Sequence, residues 1–253
     1  MRFQKSALQI DEDKQSSLKE SLLIDLDRIS ETTETKDEMT KIPIRGVCTL
    51  IGGVVMMMYL GCFLLWGNIS VYVLSHFYWI NPNFSTSFIF LVDVGLVFSN
   101  WFGYQIGVYL LQNLRINAKL IILIGSVISL AGVYLSSFTR DLEVYLTLYC
   151  LLNGVGCGIN YFSVLILSWE WFPNNKGFIT GLTTAGFGLG AFIFTPISSN
   201  LVNPNGAYPT HEDNGVNYFE KEVADRVPYM TRTLVYIWTF MVLFSLIMMS
   251  RRE

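Results

Sequence analysis

The sequence predicts an all-α membrane protein with six transmembrane helices. Six stretches are long, apolar and almost free of charge, and a polar, charged segment precedes them. A helix needs about 20 apolar residues to cross a bilayer, because lipid offers no partner for backbone N–H and C=O groups. Each stretch meets or approaches that length. The predicted spans, numbered 1 to 6 in chain order, are residues 46–75, 84–111, 120–139, 144–169, 177–200 and 233–250.

Charge is concentrated before the first span. Of the 37 charged residues, 18 lie in the first 45 positions, and the six predicted spans hold a single ionisable acid or base, Asp93. Residues 1–45 contain no apolar run of the kind that a cleavable signal peptide needs, so we expect a polar, disordered cytosolic tail. The chain has no basic stripe for nucleic acid, and the spacing of its four cysteines suits neither a metal site nor a disulfide framework. We therefore expect no metal, no cofactor and no nucleic-acid partner.

Lysine and arginine in the loops predict that both termini are cytosolic. With this orientation seven basic residues near the span ends face the cytosol and four face outward, three of them in one long loop. That loop, residues 201–232, is predicted to be extracytosolic, with a short surface helix at residues 220–226. The sequon at Asn83 also faces outward and is a predicted glycosylation site. The sequence does not indicate which membrane holds the protein.

Polar side chains form one stripe on each of spans 1, 2 and 4. Such residues are costly in lipid and therefore mark bundle interiors or water-filled cavities. Their helical spacing places the members of each stripe on one face. Two interpretations remain open: the stripes line a shared substrate cavity, or they form hydrogen bonds between helices. The predicted cavity residues are Asn68, Tyr72, Asp93, Asn100, Tyr104, Asn153, Asn160 and Tyr161.

Glycine pairs at i and i+4 mark faces on which another helix backbone can approach closely. Spans 2, 4 and 5 carry these pairs, and of these three spans, span 5 has the most glycines. The predicted helix-packing residues are Gly103, Gly107, Gly154, Gly158, Gly177, Gly181, Gly186 and Gly190.

Residues 153–196 carry a more specific pattern. A glycine-rich run begins at Asn153, a Trp-Phe-Pro turn begins at Trp171 and is followed by Lys176 and Gly177, and a Gly-Phe-Gly-x-Gly-Ala motif begins at Gly186. In order and spacing this resembles spans 4 and 5 of the major facilitator superfamily, in its oxalate/formate antiporter and monocarboxylate carrier branch. Residues 66–72 are similar to the first helix of that family more loosely. The resemblance extends over residues 46–250.

The resemblance implies secondary transport of small organic anions, either mono- or dicarboxylates, by alternating access. Carriers of this superfamily have two six-span halves, each a pair of inverted three-helix repeats, and this chain resembles the N-terminal half alone. One departure lies in the loop between spans 2 and 3. The family signature Gly-x-x-x-Asp-Arg-x-Gly-Arg is reduced to Gly107 and Arg115, with Leu111 and Gln112 in place of its charged pair. In the oxalate branch the cationic residues that hold the substrate lie in the second half.

Two functions stay open at this point. The chain is either half of a carrier, or a truncated, non-transporting paralogue or gene fragment that associates with a full-length carrier. The expected partners are the bilayer, a small organic anion and a second six-span half, supplied by the chain's own continuation, a second copy or a full-length carrier. The glycine faces of spans 2 and 5 are expected to pack on that half. An enzyme is not expected, because an intramembrane serine protease needs a histidine base, and His76 and His211 lie at or beyond the membrane edge.

Overall fold

The computed structural model describes residues 44–82, 87–213 and 215–252, and most of them are helical. Within these ranges six helical segments are long and apolar enough to cross a membrane, which confirms the predicted all-α, six-span architecture. The predicted tail lies outside the described residues except for its last two positions, and so does the sequon residue Asn83. The spans are Ile44–Ile80, Val92–Gln112, Ala118–Ser136, Leu142–Trp171, Pro173–Val202 and Lys221–Met248.

Three of the spans combine helices of more than one type. Span 1 joins two α-helices, Ile44–Gly61 and Trp66–Ile80, through a 3₁₀ turn. Span 4 contains a π-helical stretch, Leu148–Asn153, which precedes the α-helix Gly154–Trp171 and ends at one of the predicted polar residues. Such π-helical turns are rare and often occur where a helix carries a specific contact. The remaining helices are Ser87–Gln112, Ala118–Ser136, Leu142–Thr147, Lys176–Val202, Lys221–Ala224 and Val227–Met248, with a 3₁₀ turn at Pro173–Asn175.

Several helices extend beyond the predicted span ends, and the extensions bring charged residues into the spans. Span 4 continues to Trp171 and so includes Glu170, while the main helix of span 6 begins at Val227 and includes Arg232. Within the predicted bounds Asp93 remains the one ionisable acid or base, but the longer spans of the structure also contain charged residues near their ends. The guanidinium of Arg232 donates to Ser137 Oγ at 3.1 Å and lies 4.1 Å from the centre of the Phe138 ring. These contacts supply the charged group with partners at the end of the helix.

A short β-hairpin and a short helix lie between span 5 and the main helix of span 6. Strands β1 (His211–Asp213) and β2 (Val216–Tyr218) form an antiparallel pair, in which His211 lies opposite Tyr218. The short helix Lys221–Ala224 follows within the predicted segment 220–226. Both the hairpin and this helix pack on the end of span 1 that contains Tyr78 and Trp79.

The six spans pair in a pattern expected of two inverted repeats. Span 1 packs on span 5, span 2 packs on span 4, and span 3 packs on span 6, while span 4 also packs on span 3. Two inverted repeats would relate span 1 to span 4, span 2 to span 5 and span 3 to span 6. Under this relation the contact between spans 1 and 5 corresponds to the contact between spans 4 and 2, and the contact between spans 3 and 6 corresponds to itself. These three contacts are compatible with a pseudo-two-fold axis in the membrane plane, whereas the extensive contact between spans 3 and 4 has only a slight counterpart between spans 6 and 1.

Candidate functional site

A buried hydrogen-bonded chain connects spans 1, 3 and 4. Tyr59 Oη donates to Ser129 Oγ at 2.7 Å, and Ser129 Oγ donates in turn to Asn153 Oδ1 at 2.7 Å. Cys157 Sγ lies 3.4 Å from the same amide oxygen. All four side chains are buried. Because buried polar groups need partners, this network explains why Asn153 is tolerated at the end of the π-helical stretch.

Asn160 forms a second contact between spans 3 and 4. Its side chain is fully buried. In the amide orientation that satisfies both ends, its nitrogen donates to Ile122 O at 3.0 Å and its oxygen accepts from Ser126 Oγ at 3.0 Å. The nitrogen and the oxygen of this amide therefore both form hydrogen bonds from span 4 to span 3.

Asn68 connects span 1 to span 5. Its Nδ2 donates to Ser199 Oγ at 3.0 Å and lies 3.3 Å from Ser198 Oγ and 3.5 Å from Thr195 O. Like Asn153 and Asn160, this asparagine lies at a helix–helix contact. For these three residues the structure matches the interpretation that polar side chains form hydrogen bonds between helices.

The other five predicted cavity residues have different surroundings. The ring of Tyr72 stacks on Phe219 with centroids 4.6 Å apart, and the rings of Tyr104 and Tyr161 are 5.3 Å apart. Asn100 is partly exposed one turn before Tyr104, and Asp93 is exposed two turns before Asn100, near the start of span 2. The stripe on span 2 and its neighbour on span 4 therefore form an accessible polar and aromatic face.

Six of the eight predicted packing glycines lie at contacts within this chain. A Cβ on Gly103 would meet the backbone of Val155, and a Cβ on Gly190 would meet the backbone of Met58. Close backbone contacts of the same kind surround Gly107, Gly154, Gly158 and Gly186. The expectation that the glycine pairs of spans 2 and 5 await a second half is therefore wrong for Gly103, Gly107, Gly186 and Gly190, because spans 4 and 1 already fill those grooves.

Gly177 and Gly181 differ from the other packing glycines. Among the described residues, no atom of another helix lies within 4 Å of the position that a Cβ would take on either glycine. Both glycines are exposed, as is Phe178 next to the first of them. The start of span 5 therefore presents an open apolar face.

The end of the bundle at which span 1 begins contains a cluster that the polar stripes did not indicate. Ser250 N donates to Thr49 Oγ1 at 3.0 Å, and Trp171 Nε1 donates to Ser250 O at 2.7 Å. Arg251 lies 3.9 Å from the carboxylate of Glu170. Sequence reasoning did not bring these residues together, because Thr49 and Ser250 lie at the ends of distant predicted spans and Glu170 and Arg251 lie just beyond such ends. The cluster connects the residues after span 6 to the start of span 1 and the end of span 4.

The sequence has recognisable relatives among membrane carriers, although no protein-family model matches it. It is 26% identical over 240 residues to apicoplast pyruvate carrier 1 of Toxoplasma gondii, a match that covers 78% of this chain and 44% of the carrier. It is 30% identical over 125 residues to monocarboxylate transporter 12 of Xenopus laevis, covering 49% of this chain and 24% of that protein. The oxalate:formate antiporter of Oxalobacter formigenes is 29% identical over 92 residues, covering 36% and 22% respectively.

These matches confirm the resemblance inferred from residues 153–196. The relatives are named as a carrier, a transporter and an antiporter, and not as enzymes. With the six apolar helices, they show that the chain is an integral, multi-pass membrane protein related to transporters of small organic anions. The chain spans less than half the length of each of these relatives.

Proposed function

We propose that the chain is one six-span half of an alternating-access carrier for small organic anions, either mono- or dicarboxylates. The observation that carries the proposal is the match to a pyruvate carrier over 78% of the chain, in a structure that holds six spans. The pairing of spans 1 with 5 and 4 with 2 supports it, because inverted repeats are the architecture of such carriers.

The helix contacts suit a half that moves as one rigid body. Alternating access is largely the rocking of one helix bundle against another around a fixed site. The buried chain from Tyr59 to Asn153 and the Asn68 contact fasten spans 1, 3, 4 and 5 together. The close approach at Gly158 does the same for spans 2 and 4. We infer that these residues maintain the shape of the half and do not themselves bind substrate.

The substrate wall is proposed to lie on the accessible face of spans 2 and 4. Asn100, Tyr104 and Tyr161 place amide and phenol donors along this face, and such donors can bind a carboxylate. Asp93 lies at the outer end of the same stripe, and Tyr72 lies on span 1. Arg232 is engaged by Ser137 and Phe138, so we propose that the cation for the substrate comes from a second half.

We further propose that a second six-span half packs against this one, with both termini of the chain in the cytosol. The open face around Gly177 and Gly181 is available for the contact, since no other described helix fills it. The second half is the chain's own continuation, a second copy or a full-length carrier. The alternative function, a truncated, non-transporting paralogue or gene fragment that associates with a full-length carrier, uses the same contact.

The test is uptake of pyruvate and oxalate into liposomes that contain the chain alone, or the chain together with a full-length carrier. Tyr104→Phe removes one hydroxyl and keeps the ring beside Tyr161. A lost hydrogen bond to a charged group should raise KM by about tenfold or more. Tyr109→Phe, on the exposed side of the same helix, is the matched control and should leave KM unchanged.

The outcomes separate the two functions. Uptake that requires the chain and weakens in Tyr104→Phe supports the carrier half. Association with a carrier, seen by crosslinking but without any uptake that depends on this chain, supports the non-transporting alternative. Uptake by a strictly monomeric chain would contradict the proposed need for a second half.

A further inference from the structure

Residues 218–224 lie across the outer end of span 1 and are held there at several points. Phe219 N donates to Ser75 Oγ at 2.9 Å, and Phe219 O accepts from Trp79 Nε1 at 2.9 Å. Five residues along, Ala224 O lies 2.9 Å from His76 Nδ1. All three partners belong to the last two turns of span 1.

Aromatic rings strengthen the same contact. Tyr218 stacks on Tyr78 with centroids 4.0 Å apart and an interplanar angle of 19°, and Phe219 stacks on Tyr72. Tyr218 and Phe219 are 3% and 7% exposed, so both side chains are buried although they lie outside the spans. Burial, followed by the nearby Asp213 carboxylate, raises the pKa of Tyr218, so its phenol stays neutral at physiological pH.

The manner of attachment indicates that the contact can open without unfolding a helix. The amide and carbonyl of Phe219 are bonded to side chains of span 1, whereas the backbone amides and carbonyls within the spans are bonded inside their own helices. Release of Phe219 therefore breaks contacts to one face of span 1 without breaking a backbone hydrogen bond of that span.

We propose that residues 218–224 form a strap that closes the outer end of the substrate route along span 1, and that Phe219 is the residue that covers it. The Phe219 ring lies on Tyr72, the outermost member of the polar stripe of that span. In this position it covers one face of the Tyr72 ring, which is otherwise partly exposed. The inference rests on the proposed function, because it takes Tyr72 to lie on the same route as the proposed wall of spans 2 and 4, while Asn68 keeps its structural role.

The experiment measures how fast an impermeant maleimide labels Tyr72→Cys in a background without the four native cysteines. Phe219 remains attached to Ser75 and Trp79 in this variant, so labelling should be slow. Adding Phe219→Ala, or Ser75→Ala as a milder second variant, should speed labelling about tenfold, the effect expected of losing one such contact. Tyr208→Ala, which changes an exposed ring of the same loop, should not change the rate.

A chain that retains only Cys157 separates local opening from unfolding, because this thiol is buried between spans 3 and 4. Its labelling should stay slow when Ser75→Ala is introduced. Equal labelling of Tyr72→Cys with and without Phe219→Ala and Ser75→Ala would overturn the strap. Labelling that accelerates as expected, together with no anion uptake that depends on this chain even beside a full-length carrier, would retain the strap and refute the proposed function instead.

Discussion

A single methyl group at Gly158 tests whether spans 2 and 4 are held together by backbone contact. The position that a Cβ would take on Gly158 meets Asn100 O and lies 2.8 Å from both Gly103 Cα and Tyr104 N. All three atoms belong to the backbone of span 2, and none can turn away as a side chain could. Gly158→Ala therefore requires the two helices to separate.

The expected cost follows from two opposing terms. Overpacking of a close contact costs about 1–3 kcal/mol, and the upper end applies here because backbone atoms cannot rearrange. Alanine recovers about 1 kcal/mol through its higher helix propensity. The net loss is about 2 kcal/mol, which for a protein of this size lowers Tm by about 4–8 °C. At Gly181, where a Cβ meets no described atom within 4 Å, only the propensity gain remains, and Gly181→Ala should raise Tm by about 2–4 °C.

The two variants are compared by thermal unfolding in a mild detergent, with the height of the size-exclusion peak as the measure of folded protein. Both variants replace glycine by alanine in an apolar helix, so the comparison isolates the helix contact. A Gly158→Ala protein that melts at or above the temperature of Gly181→Ala would refute the close 2–4 contact.

Two further predictions concern the topology and the buried network. Single cysteines at Ser85 and Thr210 should react with an impermeant maleimide on intact cells, and one at Ser16 should not; labelling at Ser16 would overturn cytosolic termini. Ser129→Ala removes the acceptor of the Tyr59 hydroxyl and leaves Asn153 Oδ1 with Cys157 Sγ alone, so it should lower the free energy of unfolding by about 1–3 kcal/mol. Ser70→Ala is its control, because that hydroxyl bonds within its own helix turn, and equal melting of the two variants would argue against the network.

Much of the fold could be predicted from the sequence because hydropathy is a local property. Each span could be recognised from its own apolar residues, since a helix satisfies its backbone hydrogen bonds without reference to the rest of the chain. The span ends were less accurate. Glu170 and Arg232 lie inside helices and contact Arg251 and Ser137 of distant segments, and a count along the chain cannot register such partners.

The polar residues show more clearly what the sequence could predict and what it could not. Their cost in lipid indicated from the sequence that Asn68, Asn153 and Asn160 need partners. The sequence could not tell a cavity from a hydrogen bond between helices, because serines such as Ser126 and Ser129 can equally bond to their own helix. The structure assigns the partners: Ser199 of span 5 for Asn68, and serines of span 3 for the other two.

By itself, then, the sequence determined that the protein crosses a membrane six times, which residues are costly to place in lipid, and which family it resembles. Only the tertiary structure decided which helices meet. The same glycine spacing is filled by span 4 at Gly103 and open at Gly181, and residues 218–224 cover span 1 although no local pattern requires it. The physical reason is that residue spacing along one helix defines which side chains share a face. Which neighbouring helix packs on that face depends on how all six helices fit together.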